Sequence, residues 1–146
     1  MDRKNEFKKG MRRTGRYVLS HHLPDQYHKC YSIRILGKRL HICARCTGVY
    51  IGILSAAFVS FFTQLIQANP YLFVVVFPVF ALMDWSLTSF TGWRGRNLIR
   101  TVTGIFLGFG YISGLVLLFT TQDWPVSLAS AVMYGCVAGI LILLRL

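Results

Sequence analysis

HICARCTG, residues 41–48, joins two parts of the chain that have opposite composition. Upstream of this stretch the sequence is dense in Lys, Arg and His, and downstream it runs apolar from Val49 to Ile66. That apolar run is close to the roughly 20 residues that a helix needs to cross a bilayer. The junction therefore predicts that the first membrane-spanning segment begins at the two cysteines.

Four apolar segments of spanning length follow the basic region, over about residues 46–66, 71–90, 98–120 and 125–144. Backbone groups in lipid must pair internally, so each segment is expected to be a helix. The chain is 54% hydrophobic and 14% charged, whereas a soluble domain is typically about 25% charged. The composition excludes an ordinary soluble domain. The predicted fold class is an all-α membrane protein with four transmembrane helices and a small basic N-terminal cap that carries Cys and His.

The net charge of +11 is concentrated in residues 1–45, which hold twelve Lys or Arg and three acidic residues. We divide the chain into a basic mobile arm (1–16), a cap (17–45) and a four-helix transmembrane domain (46–146). The turns at 67–70 and 121–124 contain no Lys or Arg, so the positive-inside rule predicts a multi-pass cell-membrane protein with both termini in the cytoplasm. The arm is expected to contact anionic lipid head groups, and no recognition module for nucleic acid accompanies it.

Cys43 and Cys46 form a CxxC motif at the predicted start of the first helix. Residues three apart share a helix face, and the helix N-terminus and nearby basic residues favour the thiolates that metal binding and thiol redox chemistry both require. Tetrahedral zinc needs four ligands, so Cys30 is the expected third ligand and His41, or His28, the fourth. The alternatives are a redox pair and structural thiols without a ligand.

Asp84 is the only acidic residue inside a predicted span. An ionisable group at that depth is costly, and it is expected to face the bundle interior with a partner. The predicted partner is Arg100, across the short second turn, or Arg45 from the first helix. A structural ion pair and a proton or substrate site are both consistent with this pattern, so these three residues are also the candidate catalytic residues.

Small residues recur at four-residue spacing within the spans, at Gly48/Gly52, Gly104/Gly108, Gly110/Gly114 and Gly135/Gly139. Such pairs predict close helix packing within one bundle, with the face of a homo-oligomer as the alternative. We interpret Cys136, in the fourth span, as a packing residue. The pair His21-His22 is interpreted as solvated side chains of the basic tail.

Three motifs, taken in order, resemble the DUF2085 family of small predicted prokaryotic membrane proteins. They are CARCTGVYIG at 43–52, ALMDW at 81–85 and RNLIRTVTG at 96–104. The resemblance covers about residues 30–110 and implies the fold and the membrane location, but no activity. In that family a His often follows the first Cys, whereas Tyr31 follows Cys30 here, so His28 or His41 would have to take the fourth ligand position.

Together these patterns predict a membrane protein with a zinc-like metal site or a thiol site at the cytoplasmic start of the first transmembrane helix. One alternative is a membrane-interface enzyme that acts on an anionic or lipid head-group substrate through Arg45, Asp84 and Arg100. A second alternative is a non-catalytic membrane subunit or scaffold.

Overall fold

The computed structural model describes His22 and residues 24–35, 38–91, 95–120 and 123–144. The predicted basic arm, residues 1–16, lies outside the described residues. A 3₁₀ helix, Pro24–Lys29, leads into the two strands, β1 (Cys30–Ile35) and β2 (Lys38–Cys43). The helices are α1 (Ala44–Phe62), α2 (Leu65–Ala68), α3 (Pro70–Phe90), α4 (Asn97–Phe119) and α5 (Trp124–Leu143).

Four of these helices, α1, α3, α4 and α5, are long and apolar enough to cross a membrane. Large apolar side chains such as Phe61, Leu98 and Leu143 are exposed along them, as expected for surfaces that face lipid. The predicted all-α membrane fold with four spans is confirmed, and the protein is a multi-pass membrane protein. The location of the termini in the cytoplasm stays a prediction.

The first span ends earlier than predicted, because the chain leaves the helix at Thr63. This residue has extended backbone angles, and its hydroxyl donates a hydrogen bond to the carbonyl of Val59 in the last turn of α1. The short helix α2 follows, so the predicted continuation of the first span to Ile66 is wrong.

The cap contains an antiparallel hairpin in which Cys30 pairs with Cys43 and Ser32 pairs with His41. The strand β2 ends at Cys43, and α1 begins at the next residue. We call this side of the bundle, where β2 meets α1, the hairpin end.

The closest contact between helices joins α1 to α4. A Cβ atom at Gly108 would lie 2.5 Å from the carbonyl oxygen of Val49, and one at Gly104 would lie 2.5 Å from that of Arg45. On the facing helix, Gly48 and Gly52 lie directly against the backbone of α4. The predicted close packing at these two glycine pairs is confirmed, since only glycine allows this separation.

Helix α5 lies at the edge of the bundle, and Ser130 is its buried residue within the described chain. A Cβ atom at Gly135 or Gly139 would have no atom within 4 Å. Packing of this glycine pair inside the bundle of one chain, as predicted, is therefore wrong. A homo-oligomer face stays a prediction.

Candidate functional site

The hairpin is fixed to the start of α4 by three polar contacts. The hydroxyl groups of Tyr31 and Thr101 are hydrogen bonded at 2.8 Å, and Asn97 Nδ2 donates to the carbonyl of Cys30 at 3.2 Å. Thr101 Oγ1 also donates to the carbonyl of Ala44 at 3.1 Å. These bonds hold the strand that carries Cys30 and the first residue of α1 against one helix. Tyr31 serves as one of these anchors.

The hairpin brings the three predicted metal-binding cysteines to one place. The strand register sets Cys30 opposite Cys43, and Cys46 follows on the first turn of α1, where its thiol interacts electrostatically with that of Cys43. Cys30 and Cys43 are buried. Burial and the neighbouring Cys43 raise the pKa of the Cys30 thiol, although Arg100 and Lys29 act in the opposite direction.

A histidine that was predicted to be solvated, His22, lies against one of these thiols. His22 is half-buried, and its Nε2 lies 3.6 Å from Cys43 Sγ. The interpretation of His22 as a solvated side chain is therefore wrong. No local sequence pattern around His22 indicates this contact, because His22 and Cys43 are 21 residues apart in the chain.

The two histidines predicted as the fourth ligand have other surroundings. The ring of His41 stacks on Tyr27 with a centroid distance of 4.0 Å, and its Nδ1 lies 2.9 Å from Ser32 Oγ. His28 is exposed. Within the part of the chain that the structure describes, no group of three His, Cys, Asp or Glu side chains is arranged to hold a metal ion. The metal site therefore stays a prediction.

The buried carboxylate of Asp84 forms a salt bridge with Arg45. This confirms that Asp84, 6% exposed, faces the bundle interior with an arginine partner. Of the two predicted partners, Arg45, in the first turn of α1, forms this salt bridge. Arg100 is 4% exposed, and its Nη1 donates to Asn97 Oδ1 at 3.2 Å. Arg100 still interacts electrostatically with Asp84, so all three candidate catalytic residues lie at the hairpin end.

A cavity of about 390 Å³ opens among these residues. We call it the polar pocket. Its described lining includes three basic side chains, two cysteines and a histidine: Lys29, Arg45, Arg100, Cys43, Cys46 and His22. Asp84 offsets part of this positive charge through its bond to Arg45. The pocket is therefore suited to negatively charged groups, whether thiolates on a metal ion or an external anion.

These features define a multi-pass membrane protein in which a cysteine-bearing hairpin covers a basic pocket at one end of the helix bundle. Residues 27–114 match a family model described as a predicted membrane protein, DUF2085, and the chain belongs to this family. The matched region runs from the 3₁₀ helix into α4 and includes the three cysteines and the Arg45–Asp84 pair. No curated protein and no solved structure matches the chain significantly.

Proposed function

We propose that the hairpin end binds a divalent, zinc-like metal ion through Cys30, Cys43, Cys46 and His22. The observation that carries this proposal is the pairing of Cys30 with Cys43, with Cys46 one turn away and His22 in contact with Cys43. Three cysteines and one histidine are an established ligand set for structural zinc. The geometry favours His22 over His41 or His28 as the fourth ligand.

Metal binding would require the four side chains to move closer together than they lie in this structure. Three of them lie near one another in the fold, since Cys30 and Cys43 are paired across the hairpin and Cys46 follows Cys43 by three residues, in the first turn of α1. The metal would also deprotonate the thiols, which is the usual coupling between binding and pKa.

The charges around the polar pocket support the same proposal. A divalent ion with three thiolates and a neutral histidine carries a net charge of −1, which is costly to bury unless it is neutralised. Arg45, Arg100 and Lys29 line the pocket, and Asp84 is paired with Arg45. The basic residues would therefore stabilise the metal-bound form over the empty one.

The test is elemental analysis of the full-length chain, purified in detergent without a metal-affinity tag. We expect about one equivalent of zinc per chain, with loss of the metal in Cys43→Ala or Cys46→Ala. His22→Ala should weaken zinc retention, whereas His41→Ala should retain it. Cys136→Ala is the matched control, because this cysteine is exposed on α5.

A folded protein that contains no metal, and that takes up none when zinc is added, would refute the proposal. Loss of zinc in His41→Ala but not in His22→Ala would refute the choice of fourth ligand. The enzyme and scaffold alternatives stay predictions.

A further inference from the structure

A second, apolar cavity lies between the helices, away from the hairpin. It is a groove of about 550 Å³ lined by side chains of α1, α3, α4 and α5, among them Ile53, Val74, Leu115 and Ala131. Ligand cavities in proteins have volumes of roughly 300–1,000 Å³. The volume and apolar lining suit a hydrocarbon chain, and the groove opens on helices that face lipid.

The groove adjoins the polar pocket. Val49 and Leu107 line both cavities, so the apolar groove lies directly beside the basic pocket. Along α4 the groove extends from Leu107 to Leu118, which is about 16 Å of helix rise. Half of a ~30 Å hydrocarbon core is ~15 Å. The groove thus has the length of a lipid chain that occupies one leaflet.

The basic residues of the polar pocket define the chemistry of the other end of the ligand. Lys29, Arg45 and Arg100 line the pocket. The Nε of Arg45 is buried and has no hydrogen-bond partner among the described residues, which is uncommon for a buried donor. A phosphate oxygen at this position would accept that hydrogen bond and neutralise the excess positive charge.

We infer that the protein binds one anionic phospholipid, with its phosphate in the polar pocket and one acyl chain in the groove. Charge complementarity and the adjacency of the two cavities select this occupant. A soluble anion would leave the groove empty, and an uncharged chain would place no negative charge in a pocket lined by three basic side chains. The inference does not require a bound metal ion, because it depends on the basic side chains and the groove and not on the cysteines.

Native mass spectrometry of the detergent-purified full-length chain tests it with three probes. These are lysophosphatidylglycerol, lysophosphatidylcholine with the same acyl chain, and glycerol 3-phosphate, which has no chain and carries at least as much negative charge as the lysophosphatidylglycerol head group. We expect lysophosphatidylglycerol to bind at least about tenfold more tightly than either of the others, the difference typical of one charge-assisted hydrogen bond or a few buried methylenes. The same order is expected with and without a chelator.

Variants of α5 separate the groove from the rest of the lipid-facing surface. Ala131→Trp places a large side chain in the groove and should weaken binding of lysophosphatidylglycerol about tenfold, without changing binding of glycerol 3-phosphate. Val132→Trp is the matched control, since Val132 is 56% exposed and lies outside the groove lining. Leu118→Trp, at the far end of the groove, is a second test if Ala131→Trp does not fold.

Three results would overturn the inference. Equal affinity for the two lysolipids would show that the pocket does not select an anionic head group. Equal affinity for lysophosphatidylglycerol and glycerol 3-phosphate would show that no chain enters the groove. Equal loss in Ala131→Trp and Val132→Trp, or no loss in either, would place the acyl chain elsewhere.

Discussion

The close contact between α1 and α4 can be tested with a single added methyl group, Gly108→Ala. The new Cβ would lie 2.5 Å from the carbonyl oxygen of Val49, and ordinary van der Waals contact begins at 3.4 Å. The helices must therefore separate by about 0.9 Å, the difference between these two distances. A gap of that size removes about a quarter to a half of the dispersion attraction between the facing atoms.

Forced overpacking typically costs about 1–3 kcal/mol, and the better helix propensity of alanine offsets up to about 1 kcal/mol of it. We expect Gly108→Ala to lower the free energy of unfolding by about 1 kcal/mol or more. Gly139→Ala is the matched control, because a Cβ there meets no atom within 4 Å. Gly139→Ala should therefore change the free energy of unfolding only through the higher helix propensity of alanine.

The assay is equilibrium unfolding of the full-length chain in mixed micelles, with increasing mole fraction of sodium dodecyl sulfate. The difference between the two variants isolates the packing term, which we expect to be about 2 kcal/mol. If Gly108→Ala and Gly139→Ala are equally stable, α1 and α4 do not pack as closely as the glycine contacts indicate, and the reasoning fails.

Three further predictions use the hairpin end. Asp84→Asn should lower the free energy of unfolding by about 1–3 kcal/mol, because it removes the counter-charge of Arg45, whose side chain is partly buried. Adding Arg45→Gln should recover part of this loss, and a parental stability for the single variant would contradict the ion-pair account. Two introduced cysteines test the predicted cytoplasmic location of the termini. Arg34 is exposed on the hairpin, and Arg34→Cys should not react with an impermeant maleimide in intact cells, whereas Thr63→Cys at the opposite end should react. The reverse labelling pattern would show that the protein has the opposite orientation. Burial raises the pKa of the Cys30 thiol, so the protonated thiol is favoured in the folded metal-free protein. The free energy of unfolding should therefore fall as the pH rises above the ordinary thiol pKa of about 8.5. A Cys30→Ala variant with the same pH profile would rule out this thiol as the cause.

The spans could be predicted from hydropathy, since lipid exposure requires long apolar helices whatever their arrangement. The end of α1 could not, because Thr63 has no composition signal that separates an extended residue from a helical one. The close packing of α1 against α4, rather than against α3, had one signal in the sequence: the glycine pairs Gly48/Gly52 and Gly104/Gly108, which face each other in the structure.

The candidate site was predictable where chemistry alone demanded a partner. An isolated carboxylate in a span must be paired, and this led to Asp84 and, as one of two options, Arg45. His22 was not predictable, because a histidine on a polar tail has no periodicity or motif that ties it to a cysteine 21 residues away. The groove could not be predicted either, since its lining residues come from four helices and the sequence of each helix is ordinary for a membrane span.

The order of the helices has a consequence for biosynthesis. Helix α1 packs most closely against α4, but α4 ends only at Phe119. During synthesis, the glycine surface of α1 therefore stays exposed to lipid until α4 has been made. Asp84 arrives earlier, on α3, and Arg45 is already present at the same end of the bundle. The salt bridge can thus join α1 to α3 before α4 is complete, and the carboxylate of Asp84 then has a partner as soon as α3 enters the membrane.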